Sequence, residues 1–282
     1  MNKPIAIIAG EPNSISSEII FKCWKLRKRF KHKPFIIIGS VQLLNLQRKK
    51  MKYKIPIKQI NYNFKKKDLI SNKLLVYNID FNQKYAFERV SSKSNKYIFK
   101  CFDIATGLIK NKKIQGFINC PISKEHLFRN KHQGITEYLS KKTRISGNEV
   151  MLIFNKKLSV SPLTTHIPLA QVSKKINKNK IIKKIKTINN FYKKILKIKT
   201  KIAVLGLNPH NFSPIKSEEK KLISPAIKAN QQKKFNAIVQ FLQIQVLYNM
   251  KNRNLMLSLE CTTIRYFRHL KHYLNMMQLI LL

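Results

Sequence analysis

Acidic residues are scarce in this chain. Twelve Asp and Glu stand against 57 Lys and Arg in 282 residues, a formal net charge of +45. Glycine is thin as well, at 7, and there is one Trp. The charge imbalance invites a polyanion partner. The make-up of the basic set argues against it: 48 are Lys and only 9 are Arg, with Ile and Asn abundant. Lys, Asn and Ile are the residues of A/T-rich codons, so drift in an A/T-rich genome produces this pattern unaided. Sequence-reading proteins also favour Arg for its bidentate contacts. A weak, salt-sensitive attraction to polyanions follows from the charge; a specific nucleic-acid partner does not.

No apolar run reaches the roughly 18–20 residues of a membrane span. Pro4–Gly10 leads into a turn rather than a signal-peptide pattern, so the expectation is a cytoplasmic protein without a membrane partner. Cys23, Cys101, Cys120 and Cys261 lack CxxC spacing, which suggests reduced thiols rather than a disulfide frame. GxGxxG, P-loop, HExxH and GxSxG motifs are missing, so no Rossmann dehydrogenase is indicated by motif. What is present is globular: 44% hydrophobic residues, with 16 Phe and 10 Tyr.

Short apolar runs read as buried strands: PIAIIAG (4–10), PFIIIGS (34–40), LLVYNI (74–79), GFINCPI (116–122) and KIAVLGLNPH (201–210). EVMLIFN and LSVSPLTTH read as a strand pair. Helical spacing marks 94–113 and the basic 178–196, and Ser16 or Ser17 is expected to cap the helix after the first strand. Strands alternate with helices, which predicts an α/β protein with a mainly parallel sheet, in two lobes. Ligands of such folds sit beyond the carboxyl ends of the strands. Those ends are GEPNSISSE, CPISKEH, TTHIPL and GLNPHN.

His166 in TTHIPL and His210 in GLNPHN therefore stand at strand ends. A neutral imidazole there suits a divalent metal, although two are half a site and hydrogen-bonded loop histidines fit the spacing too. Glu11 either binds substrate or closes a turn. Lys124 lies where an anion could bind, but as one Lys among 48 it carries little weight. Thr136 and Glu137 stand near a helix start, where backbone N–H groups favour anions. His126 and His132 are expected to face solvent.

In order, GEPNSISSE, NCPISKEHL, GITEYLSKKT, VSPLTTHIPL and VLGLNPH resemble five segments of the 4-hydroxythreonine-4-phosphate dehydrogenase (PdxA) family, over about residues 1–237. The resemblance implies a fold similar to isocitrate and isopropylmalate dehydrogenases, two α/β/α lobes with a cleft, working as a homodimer. It implies NAD-dependent oxidation of 4-phosphooxy-L-threonine and decarboxylation of the keto acid, in pyridoxal phosphate synthesis. The partners implied are that small phosphorylated amino acid, NAD and a divalent metal cation (zinc, magnesium or cobalt) held by three His at a site shared between dimer partners. Position by position, His166 and His210 match two of the metal ligands, and Thr136 the substrate-binding Thr of the family's GHT. The His of GHT is Ile135 here, and two glycines of the first loop are Ser14 and Ser16.

The family's third metal His, in a Tyr-His-Asp-Gln run, is missing as written. Leu259 to Arg265 can be coded TTG GAA TGT ACC ACG ATC AGG. Read from the third base, those letters give Gly-Met-Tyr-His-Asp-Gln. The same shift turns 242–247 into Ala-Asp-Thr-Gly-Phe, 254–259 into Phe-Asp-Ala-Val, and 275–282 into a run close to the family's Asn-Ile-Thr-Leu. No Asp follows Asp103 and no Gly follows Gly206; the shifted frame restores both. The expectation is a frameshift near Ala237–Val239. The chain then divides into a first lobe at 1–115 that lacks its C-terminal return, a second lobe at 116–237, and an out-of-frame tail at 238–282 without a selected fold. An inactive remnant of the enzyme is the alternative for the chain as written.

Overall fold

The computed structural model describes residues 3–30, 34–128, 134–154, 159–165, 167–200, 202–208 and 217–232, and the backbone of strands at 237–240, 257–260 and 277–281. It is a mixed α/β structure that divides into two compact units, Met1–Lys131 and His132–Leu282.

The first unit is built on a five-stranded parallel sheet: β1 (Ile5–Ile8), β2 (Phe35–Gly39), β3 (Ile57–Ile60), β4 (Leu74–Asn78) and β5 (Gly116–Asn119), in the order β3-β4-β2-β1-β5. The apolar runs form its centre, where Ala6, Ile8 and Ile36 to Ile38 are wholly buried. Residues apolar on both faces require cover on both faces, as parallel sheets have. Helices α1 (Ser16–Lys25), α2 (Val41–Lys50) and α3 (Asn95–Lys110) follow strands in sequence. α3 buries Tyr97, Ile98, Cys101, Phe102, Ala105 and Leu108, matching the helical spacing expected there. α2 starts where Ser40 Oγ accepts the Leu43 N–H at 3.2 Å.

Three expectations change. α1 begins without a side-chain cap; Ser16 Oγ instead donates to the Pro121 carbonyl at 3.4 Å. β3 had no clear apolar signature, because only Ile60 of its four residues is buried. The lobe boundary expected at 115/116 moves to 131/132, since β5 pairs with β1 along its whole length, Ile5 opposite Gly116 to Ile8 opposite Asn119.

The second unit carries β6 (Val150–Phe154), β7 (Ser159–Pro162), β8 (Ile202–Leu205), β9 (Ala237–Gln240), β10 (Leu257–Glu260) and β11 (Met277–Leu281), in the order β11-β6-β7-β10-β8-β9. β6 and β7 are the expected antiparallel pair; β7, β10, β8 and β9 run parallel. The helices are α5 (Ile135–Lys142), the short α6 (Val172–Lys175), α7 (Lys178–Phe191), which ends in a wider turn at Tyr192–Leu196, and α8 (Ser224–Gln232). α4 (Lys124–Phe128) belongs to the first unit. Ile181, Ile185 and Ile188 of α7 pack with Val150, Ile202, Val204, Ile223 and Ile227 in the core. The tail, expected to lack a selected fold, supplies β10 and β11 to this sheet.

Among the described residues no helix is long and apolar enough to cross a membrane. Cys23, Cys101 and Cys120 are free, and burial pushes the Cys101 and Cys120 thiols up to about 12; Cys261 lies outside the described residues.

β5 is an edge strand, and Ile118 on it is 57% exposed. An apolar, unpaired edge is a template for association with another chain. Ile118→Lys is expected to reduce concentration-dependent light scattering while leaving the urea midpoint of the first unit, followed by fluorescence of the buried Trp24, within about 0.5 kcal/mol of the parent.

Candidate functional site

In the first unit, the loops after β1 and β5 meet at one carbonyl. Pro121 O accepts the Glu11 N–H at 2.9 Å and the Ser16 hydroxyl. Gly10 makes this possible: its φ is +71°, and a Cβ there would stand 2.5 Å from Pro121 O. Only glycine adopts that backbone without cost at such close approach. Glu11 is buried, and its carboxylate accepts the Ser94 hydroxyl at 2.8 Å and the Asn13 N–H at 3.3 Å. Gln47 donates to Pro12 O and Ala86 O, at 2.7 and 3.0 Å. Glu11 thus closes a turn, one of the two readings open to it. Lys124 is exposed at the start of α4. His126, expected to face solvent, is half-buried, with Nδ1 2.7 Å from Ser123 Oγ. Burial keeps Cys120 a thiol, so this loop carries no ready nucleophile.

In the second unit, β10 lies between β7 and β8 and runs parallel to both. Glu260 pairs with Pro162, and Leu259 pairs with both Ser161 and Val204. The two outer strands are therefore about 10 Å apart and end at one edge of the sheet. His166 follows Pro162 by four residues and His210 follows Leu205 by five. Both histidines, and His132, lie outside the described residues. The chain leading to each is held by a buried charge. Lys184, on the core face of α7, donates to Pro162 O at 2.8 Å. Glu219 accepts from the Leu207 and Asn208 N–H groups at 2.9 and 2.8 Å, and from the Asn208 side-chain amide. Burial pushes Glu219 up, but the N–H groups of Asn208 and Leu207 outweigh it and hold the carboxyl below its ordinary value. Neither residue stood out in the sequence, where Lys184 is one of many Lys and Glu219 one of a helix-start pair. Nearby, Ser217 Oγ accepts the Lys220 N–H at 3.4 Å.

Thr136 is buried in the first turn of α5, and Glu137 Oε2 is buried without a hydrogen-bond partner among the described residues. No hydrogen bond among the described residues joins Thr136 to the loops after β7 or β8. Nor do the described residues hold a group of three His, Cys, Asp or Glu able to bind a metal. Two histidines are in kind suited to a divalent cation, and are one short of the three protein ligands that catalytic sites use.

Residues 31–246 match the family model described as "Pyridoxal phosphate biosynthetic protein PdxA". The chain belongs to the PdxA family. A 4-hydroxythreonine-4-phosphate dehydrogenase of Sulfurihydrogenibium is 34% identical over 232 residues, covering 79% of this chain and 69% of that protein. A D-threonate 4-phosphate dehydrogenase of Salmonella typhimurium is 27% identical, over 80% of this chain and 70% of that one. The solved 4-hydroxythreonine-4-phosphate dehydrogenase from Klebsiella pneumoniae shares the fold, with TM-score 0.81 at 22% identity, across 96% of this chain and 85% of that one. The PdxA family makes the chain an oxidoreductase by descent. Structural likeness extends over more of the chain than sequence likeness does.

Burial lowers the Lys184 ammonium to about 8, helped by Lys180 and opposed by Glu149. In the unfolded chain it stays near 10.5. Between those values the unfolded state binds more protons, so stability rises with pH. Below about 8 both states are charged, and this gain is absent. The difference in urea midpoint between the parent and Lys184→Met, followed by circular dichroism, is expected to grow in the parent's favour from pH 8 to 10.5.

Proposed function

We propose that the gene descends from, and in its restored frame encodes, an NAD- and divalent-metal-dependent dehydrogenase. Its substrate is 4-phosphooxy-L-threonine, whose 3-keto product loses carbon dioxide on the route to pyridoxal 5'-phosphate. The 282-residue chain as written is the inactive form. The enzyme is cytoplasmic and works as a homodimer.

The observation that carries this reading is where β10 ends. It stops at Glu260, between the strands that lead to His166 and His210. The codons of Thr262 and Thr263 are those that contain the hidden histidine in the shifted frame. On this reading a one-base slip near Ala237–Val239 costs the chain its third histidine. The match to the PdxA model ends at residue 246, a few residues past the slip.

His166 and His210 would hold the cation, and Thr136 would hold substrate by its hydroxyl. When bound, the metal would acidify the alcohol being oxidised and offset the negative charge that builds as carbon dioxide leaves. NAD, when bound, would supply the hydride-accepting chemistry, with the protein orienting it. Ile135 offers no polar contact to substrate. Two 4-hydroxythreonine-4-phosphate dehydrogenases, at 34% and 32% identity, lie above the D-threonate 4-phosphate enzyme at 27%, while two others, at 26% and 27%, do not.

The test pairs two proteins: the 282-residue chain, and a version with the frame restored at 237–239. Each is assayed for NADH formation from both phosphorylated acids. The restored protein is expected to turn over 4-phosphooxy-L-threonine preferentially, and the 282-residue chain to give no turnover. Turnover by the pure 282-residue chain contradicts the slip; turnover of D-threonate 4-phosphate alone contradicts the substrate.

A further inference from the structure

We propose that the first unit carries a ligand site at the amino ends of its strands, built for a small anion that bears a flat ring. It is independent of the metal reading above. A cavity of about 270 Å3 opens there, beside Phe35 at the start of β2 and Lys73 just before β4. β2 runs parallel to β1, and β4 to β2, so this is the opposite edge of the sheet from the GEP loop that follows β1. The volume lies just below the range of about 300–1,000 Å3 usual for small-molecule pockets. It has room for one ring system with one charged group, and not for a dinucleotide.

The lining combines aromatic rings with cations, and no acid is among the described residues that form it. Trp24, near the end of α1, and Phe35 meet edge to face with ring centroids 5.8 Å apart. Such rings accept a further flat ring by offset or edge-on contact. Ile70, which is 72% exposed, adds apolar surface open to solvent. Lys28 and Lys73 also line the cavity, but in a chain with 48 Lys two lysines carry little weight. Arg27 is different. Its guanidinium lies 4.3 Å from the Trp24 ring centroid, and Nη1 donates to Trp24 O at 3.1 Å. No carboxylate among the described residues pairs with it. Stack and bond hold the planar fork in place and leave most of its donors for a ligand, so little freedom is lost on meeting a phosphate or carboxylate. Aromatic walls and a pre-set guanidinium in one small cavity select a ring that bears an anion over either part alone.

The protein has one Trp, and it lines this cavity, so intrinsic fluorescence reads the site. The full 282-residue chain is titrated at about 0.15 M salt with two aromatic anions, AMP and benzoate. Each is compared with its uncharged form, adenosine or benzamide, and with its ringless anion, inorganic phosphate or acetate. At least one aromatic anion is expected to change Trp24 emission saturably and to bind at least about tenfold more tightly than both of its comparators. AMP alone marks a phosphate ligand, benzoate alone a carboxylate. Arg27→Lys keeps the charge but loses the plane, and is expected to weaken the tighter probe about tenfold. The pair Lys28→Met and Lys73→Met, in one protein, should weaken it about threefold. Lys25→Met, whose ammonium lies over Tyr53 at 4.7 Å and does not line the cavity, should match the parent. No saturable change with either aromatic anion overturns the proposal. So does a ringless anion or an uncharged ring that binds as tightly as its aromatic anion. Affinity unchanged both in Arg27→Lys and in the lysine pair places the probe elsewhere and overturns it as well.

Discussion

The second unit depends on one constraint: three parallel strands, β7, β10 and β8, ending level at one edge of the sheet. Parallel pairing puts all carboxyl ends on the same side, so the segments that follow have a common neighbourhood whatever their sequence. TTH leaves from one strand and NPH from another two positions away. In this chain the middle strand, β10, leads into Cys261-Thr262-Thr263, which offers no imidazole.

Much of the framework was legible in the residues. β1, β2, β4 and β8 are short apolar runs that a sheet covered on both faces explains, β5 is an apolar run at the partly exposed edge, and α3 and α7 bury the faces that their spacing marked. β3 was not legible, because at an edge its residues alternate only weakly between inside and outside. The lobe boundary was misplaced because chain order does not reveal that β5 returns to β1. The two buried charges, Lys184 and Glu219, were hidden for a different reason. In a chain with 48 Lys, one Lys on the apolar face of a basic helix has no signature, and its role follows only from the carbonyl it meets. Ser16 was expected to cap α1, but tertiary packing gives its hydroxyl to Pro121 instead.

Lysine makes up 48 of the 57 basic residues behind the net charge of +45. The strands kept their apolar character: Ile202 to Leu205 and Leu74 to Val76 are buried without exception. The residues from 237 onward contribute β9, β10 and β11 to the sheet of the second unit.

The account's central claim is that His166 and His210 bind one cation between them, and zinc X-ray absorption on the 282-residue chain tests it most directly. Two imidazole nitrogens at about 2.0–2.1 Å are predicted for the parent, and one in each of His166→Ala and His210→Ala, with weaker zinc in both. A zinc environment and affinity unchanged in the two variants would contradict it.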